Sequence, residues 1–279
     1  MLYCVDVADS LTREQRFAEI AGGRRASWLE AGAGWPVILV HAFPLNAAMW
    51  RPQLERLPEG WRLIAPDLRG FGRDGSAALS LTVDDYAADV LLLMDALAID
   101  EAVIGGLSMG GYVTLAMFRQ APERFTGMVP ADTRASADTP QVREARTRMR
   151  ELVAREGARG VAQQMLPKLL AGATSRERPE VVSATRALIE AAPASSIDAA
   201  IGAMLHRPDA TPLLATISCA TLVLVGEEDA ITPPAEAEAM QRAIPRSRLT
   251  IVPGAGHLSN LDQPDVFSRA LGDFLHAAL

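Results

Sequence analysis

Ser108 stands within Gly106-Leu107-Ser108-Met109-Gly110, directly after the apolar run Ala102-Val103-Ile104-Gly105. A serine hydroxyl becomes an effective nucleophile when a base takes its proton and the backbone lifts it clear of its neighbours. Glycines on both sides permit a turn of that kind, because side chains there would collide with adjacent backbone. The stretch from Met109 to Gln120 predicts a helix whose first-turn N–H groups would face any anion formed beside Ser108. A Gly-x-Ser-x-Gly match alone is common, and a serine at a helix start often only caps it. The strand before this turn and the helix after it favour the chemical reading.

Val223-Leu224-Val225-Gly226-Glu227-Glu228-Asp229 places Asp229 in a loop after a buried-strand pattern. Pro253-Gly254-Ala255-Gly256-His257 likewise places His257 after the strand pattern Arg248–Val252. Taken singly, Asp229 reads as a turn residue and His257 as a loop hydrogen-bonder. With Ser108 they form a set in the order nucleophile, acid, histidine. His257 would take the Ser108 proton and return it to a leaving group, while Asp229 orients the second ring nitrogen. Two other acids compete with Asp229. Asp132 follows the short strand Met128-Val129, and Glu228 is adjacent in the same loop. Asp229 is preferred because its glycine-bounded loop offers the clearer route to His257, and neighbours in a compact turn point differently. His206 and His276 read as helix-associated residues without a catalytic setting.

His41-Ala42-Phe43-Pro44 follows the apolar strand Pro36–Val40. This loop can bring the Phe43 N–H beside the Met109 N–H, a pair of neutral donors for a negative oxygen formed during carbonyl attack. His41 reads as the organiser of the loop. The structural alternative is a rigid turn with a buried Phe43 side chain, and both readings are compatible.

Holding these groups together requires elements whose ends converge. Leu2–Val7, Ser27–Glu30, Trp61–Ala65, Val103–Gly105, Met128-Val129, Thr221–Val225 and Arg248–Val252 read as further strands. Helices are expected over Asn46–Leu57, after the capping box Thr82-Val83-Asp84-Asp85 through Leu97, and after Ser108. The alternation predicts an α/β fold with a mostly parallel sheet covered on both faces. Between about Asp132 and Pro212 the pattern turns helical: Val142–Glu156, Val161–Leu170, Val181–Ala191 and Ile197–Leu205, with Pro167 expected to bend or divide the second. Residues 1–131 and 213–279 are therefore expected to form the core, and 132–212 an inserted helical cap lining the site.

The 279 residues suffice for one such domain, and a 49% hydrophobic content permits a substantial core. A formal charge of −7 opposes a general nucleic-acid role. Cys4 and Cys219 are too few for a disulfide scaffold. The four histidines lack a recognisable metal-binding spacing. Gly70-Phe71-Gly72 lacks the wider context of a nucleotide site. The first residues lack a leader pattern and no stretch reaches membrane-helix length, which makes cytoplasmic residence without membrane insertion the default expectation.

Together, His41-Ala42-Phe43-Pro44, Asp67-Leu68-Arg69-Gly70-Phe71-Gly72, the Ser108 turn, the Asp229 loop and His257 resemble an α/β-hydrolase over nearly the whole chain. Within that family the likeness is to small esterases and 3-oxoadipate enol-lactonases, supported by Ala131-Asp132-Thr133-Arg134-Ala135 at the cap entrance. The resemblance implies Ser108, Asp229 and His257 as the triad and the Phe43 and Met109 backbones as the oxyanion site. It implies a carboxylic ester as substrate, hydrolysed through an acyl-enzyme, and no dissociable cofactor or metal. The alternative is an enol-lactone, whose extra carboxylate Arg134 would bind; perhydrolysis, C–C cleavage and a silent ligand- or partner-binding role share the framework. Two positions depart from the pattern. Ala42 stands where relatives carry glycine and requires ordinary backbone angles, and Asp74 stands where a serine is usual.

Overall fold

A computed structural model describes residues 15–72 and 80–278. The expected strand Leu2–Val7, Cys4 and Asp74 lie outside these residues. The chain opens with a hairpin of β1 (Arg16–Ile20) and β2 (Arg24–Gly32), a pairing the sequence reading did not anticipate. Its turn contains Gly22 and Gly23 at φ 83° and 68°, which glycine adopts readily. Next come β3 (Trp35–Val40), helix α1 (Arg51–Glu55), β4 (Trp61–Pro66), α2 (Val83–Ala96), β5 (Ala102–Leu107), α3 (Met109–Gln120) and β6 (Phe125–Ala131). A helical insertion then holds α4 (Pro140–Leu169), α5 (Gly172–Glu177), α6 (Pro179–Glu190) and α7 (Ala194–Leu205). The chain returns to the sheet with β7 (Ala220–Gly226), α8 (Pro234–Ala243), β8 (Ser247–Val252), α9 (Ser259–Asp262) and α10 (Pro264–Ala278).

The eight strands lie in the order β1-β2-β4-β3-β5-β6-β7-β8. Among the described residues the β1/β2 and β2/β4 pairs are antiparallel, and along the sheet from β4 to β8 every pair is parallel. Parallel strands need crossover helices, which cover both faces and bury the strands on each side. Val37–Val40 and Ala102–Leu107 are accordingly buried without alternation. The core strands therefore appear in the sequence as continuous apolar runs.

The Thr82 capping box forms as expected: Asp85 N donates to Thr82 Oγ1 at 3.1 Å, and Thr82 N donates to Asp85 Oδ2 at 2.8 Å. Asn46 caps a short 3-10 turn, Ala47–Trp50, that leads into α1 with Pro52 in its first turn. The expected helix Asn46–Leu57 is thus two shorter turns in series. In α4 the interruption falls at Gly157, at φ 60° and ψ −157°, and Pro167 sits within the helical run. The break thus falls in the gap expected between Val142–Glu156 and Val161–Leu170, at the residue that tolerates positive φ, and Pro167 does not divide the second helix.

At the base of the insertion Arg207 pairs with Asp138 at 2.9 Å, with both side chains almost fully buried. The Arg207 guanidinium also lies 4.0 Å from the centre of the Tyr112 ring. Among the described residues no single helix is long and apolar enough to cross a membrane.

Candidate active site

Strand β5 pairs with β3 and β6 in register, Val40 opposite Gly106 and Leu107 opposite Ala131. Parallel strands bring their C-terminal ends to one edge, where the loops after β3, β5, β6, β7 and β8 gather. Ser108 occupies the tight link between β5 and α3 at φ 56° and ψ −112°. A non-glycine residue there costs on the order of 1–3 kcal/mol and persists only if its surroundings hold it. They do. Ser108 N donates to Ala131 O at 2.9 Å, and Ser108 O accepts from Gly111 N at 3.0 Å and Thr133 Oγ1 at 2.8 Å. Two glycines allow the close approach. A Cβ at Gly106 would lie 2.3 Å from the Gly110 carbonyl, and one at Gly110 would lie 2.2 Å from Val40 O.

Ser108, His257 and Asp229 are brought together as the sequence predicts. His257 Nε2 is 2.8 Å from Ser108 Oγ, and His257 Nδ1 is 2.8 Å from Asp229 Oδ2. A neutral imidazole in this setting carries its proton on Nδ1, facing the carboxylate, and presents the Nε2 lone pair to the hydroxyl. Asp229 is itself fixed. Its Oδ1 accepts from Ile231 N at 2.8 Å and Thr232 N at 2.9 Å, and its Oδ2 accepts from Thr232 Oγ1 at 2.7 Å. Burial pushes this carboxyl upward, but the His257 charge and the bonds from His257 and Thr232 outweigh it and hold the pKa below the ordinary value. Thr232 was not singled out in the sequence; the Asp-x-x-Thr spacing in a loop, with a hydroxyl able to turn back on the carboxylate, was the available signal.

The rival acids go elsewhere. Glu228 is exposed. Asp132 is fully buried and accepts from Gly226 N at 2.8 Å and from Ser259 Oγ, tying the end of β6 to the loops that carry Asp229 and His257. Burial, reinforced by the Asp229 charge, pushes its carboxyl well above the usual range, against the hydrogen bonds from Ser259 and Gly226. The folded state therefore binds this proton more tightly than the unfolded chain. The stability that the protonated group contributes is present below the unfolded value of about 4 and is lost as pH rises towards the folded value. Asp132→Asn, which cannot ionise, should gain stability relative to wild type as pH is raised from 4 to 8. Urea unfolding across that range checks this; a pH-independent difference would refute it.

Ala42 is fully buried, and its φ is not positive, so alanine meets no backbone penalty in this loop. Its N–H donates to Met49 Sδ at 3.1 Å, and Leu45 N closes the turn onto Ala42 O at 2.9 Å. His41 Nε2 accepts from Leu68 N at 2.9 Å and Nδ1 donates to Ala42 O at 2.9 Å, so a neutral ring joins the loops after β3 and β4. Burial lowers its pKa against opposing contributions from Ala42 and Asp67. Phe43 follows in this loop with its side chain buried, and Met109 opens α3, where a first-turn N–H has no acceptor within the helix. His206 and His276 are exposed at the ends of α7 and α10.

Arg134 is tied to the Asp229 loop and to α8. Its guanidinium donates to Ile231 O and lies 3.6 Å from Glu236 Oε1 on α8. It lines a cavity of about 370 Å³ between Tyr112 and Leu115 of α3 and the Pro208–Leu213 segment, which Ser108 does not line.

Comparison with known proteins bears on the fold and the family. The solved structure of a thermophilic esterase from Thermogutta terrifontis, with malate bound, superimposes with a TM-score of 0.90 at 41% identity, over 95% of this chain and 99% of that one. An enol-lactonase from Burkholderia xenovorans superimposes with a TM-score of 0.86 at 25% identity, over 94% of this chain and all of that one. In sequence, 3-oxoadipate enol-lactonase 2 of Acinetobacter baylyi is 28% identical across 84% of this chain and 86% of its own length. The family model for the alpha/beta hydrolase fold matches residues 36–264. With that match and an eight-stranded, mostly parallel sheet, the chain belongs to the α/β-hydrolase family.

Proposed function

We propose that this protein hydrolyses carboxylic esters through an acyl-enzyme on Ser108. The observation that carries the reading is the continuous path from Ser108 Oγ through both ring nitrogens of His257 to Asp229, two contacts of 2.8 Å each. Ser108 Oγ attacks the carbonyl carbon as His257 Nε2 takes the hydroxyl proton. The tetrahedral oxyanion is held by the N–H groups of Phe43 and Met109. As the carbon–oxygen ester bond breaks, His257 returns the proton to the departing alcohol. Water then attacks the acyl-enzyme with His257 as base, releasing the acid and restoring Ser108. Asp229 keeps the Nδ1 proton in place and stabilises the imidazolium without itself taking the proton. The helical insertion, taken as residues 132–212, acts as a cap over this edge and limits water at the reacting carbon.

A second reading, hydrolysis of an enol-lactone, is favoured by the two enol-lactonases among the relatives. The same atoms would open a ring ester, with the leaving alcohol retained in the product. Side-by-side turnover of neutral p-nitrophenyl esters and 3-oxoadipate enol-lactone separates the readings. We expect measurable hydrolysis of short esters; negligible ester turnover with efficient lactone turnover would displace the first reading. A folded protein inert to both and unlabelled by a serine-directed phosphonate, yet reproducibly binding a ligand or partner, would favour a silent binding role.

A further inference from the structure

The histidine loop is fastened to the helical insertion on both sides of the catalytic ring. On the N-terminal side, the backbone of Gly256 runs against residues 170 and 171. A Cβ on Gly256 would lie 2.8 Å from Ala171 N and 3.0 Å from the Leu170 carbonyl carbon. On the C-terminal side, Leu258 N donates to Leu169 O at 2.8 Å. One carboxylate oxygen joins the two chains. Asp262 Oδ2 accepts from Gly256 N at 2.7 Å and from Ala171 N at 3.0 Å. Arg178 of the insertion adds a further tie, donating from Nη1 to Asp262 O at 2.8 Å and to Leu261 O at 3.3 Å. Asp262, Ala171, Leu169 and Leu258 are all buried, so water does not compete for these bonds.

We propose that Asp262 is a positioning residue that makes the insertion and the His257 loop one mechanical unit, so that the placement of the cap sets the imidazole against Ser108. The proposal rests on the catalytic reading above. Hydrogen bonds to a buried carboxylate are stronger than neutral ones. Separating residues 169–171 from 256–258 breaks the Ala171–Asp262 bond and the Leu258–Leu169 bond together. His257 lies between the two anchored positions and cannot keep its place if they part. A misplacement of about 1 Å at a reacting group costs on the order of 10²-fold in rate. A cap that shifts when substrate binds would therefore adjust the base as well as the pocket.

Three variants test this. Asp262→Ala removes the shared acceptor. Asp262→Asn retains an oxygen in its place. Ala171→Pro replaces the insertion's N–H with a ring carbon directed at Oδ2. Its backbone suits the exchange, because Ala171 has φ −58° and Leu170 before it is extended at ψ 148°. For variants that remain folded by circular dichroism, we expect Asp262→Ala and Ala171→Pro to lower kcat on an activated ester by about 10- to 100-fold, with KM changed by less than about threefold. Asp262→Asn should recover most of kcat. If Asp262→Ala does not fold, Ala171→Pro carries the test. Full kcat in either folded variant, a loss confined to KM, or an Asn variant no better than Ala would each overturn the positioning role. Phosphonate labelling of the wild type at Ser108 distinguishes the two failures. A wild type that does not label overturns the catalytic reading and the proposal with it; one that labels while folded Asp262→Ala keeps full kcat overturns the positioning role alone.

Discussion

Ser108→Ala should lose covalent labelling by a serine-directed phosphonate and drop ester turnover by roughly 10³-fold or more. The size follows from what the substitution removes. Without Oγ there is no acyl-enzyme, and only binding and the oxyanion donors remain to help water attack directly. Alanine should be tolerated structurally, because the strained turn is held through backbone atoms: Ser108 N on Ala131 O, and Ser108 O under Gly111 N and Thr133 Oγ1. Mass spectrometry of the intact protein after phosphonate treatment, beside circular dichroism and a p-nitrophenyl ester assay, measures all three properties. Labelling that survives in the folded variant would place the nucleophile elsewhere.

Asp229→Asn is expected to lower kcat by about 10³- to 10⁴-fold, the scale seen when a triad carboxylate becomes an amide and the imidazole loses its working tautomer. Four hydrogen bonds converge on the Asp229 carboxylate, counting that from His257, so the side chain cannot swing away to find other partners. Asp132→Asn should cost less than about tenfold, since an amide oxygen can still accept from Gly226 N and the group makes no bond to His257. Measuring kcat and KM for the two variants on one ester decides the matter. A larger loss at Asp132 would assign the acid to the end of β6.

The grouping of Ser108, Asp229 and His257 was legible because each follows a parallel strand, fully buried in β5 and almost so in β7, and sits in a loop bounded by small residues. Continuous apolar runs such as Val37–Val40 and Thr221–Val225 marked the strands, and their common direction brings the loop ends together. Asp132 shows where such reading stops. It also follows a strand and faces the same edge, and only the bonds to Gly226 and Ser259 separate it from Asp229. The partners of Arg134 were equally out of reach: it meets Glu236 and Ile231, residues about a hundred positions away in the chain. The β1 strand escaped notice because its sequence, Arg-Phe-Ala-Glu-Ile, is short and largely exposed, although the Gly22-Gly23 turn after it was a signal. Asp262 was missed because a carboxylate in a helical context reads as a surface charge until its two backbone donors are seen.

The placement of the helical insertion between β6 and β7 also bears on how the protein is made. Ser108 and His257 are separated by 149 positions along the chain, and the insertion accounts for much of that span. Contacts this distant form late, because the entropy of closing long loops must be met before they repay it. During synthesis the Ser108 turn, with β3, β5 and β6 to support it, emerges well before β7, β8 and the His257 loop. A growing or truncated chain that ends before residue 257 carries Ser108 without the imidazole that stands 2.8 Å from its hydroxyl. On the proposed function, chemical competence arrives only with the last strands of the sheet, and truncated copies lacking residue 257 are expected to be inert in an ester assay.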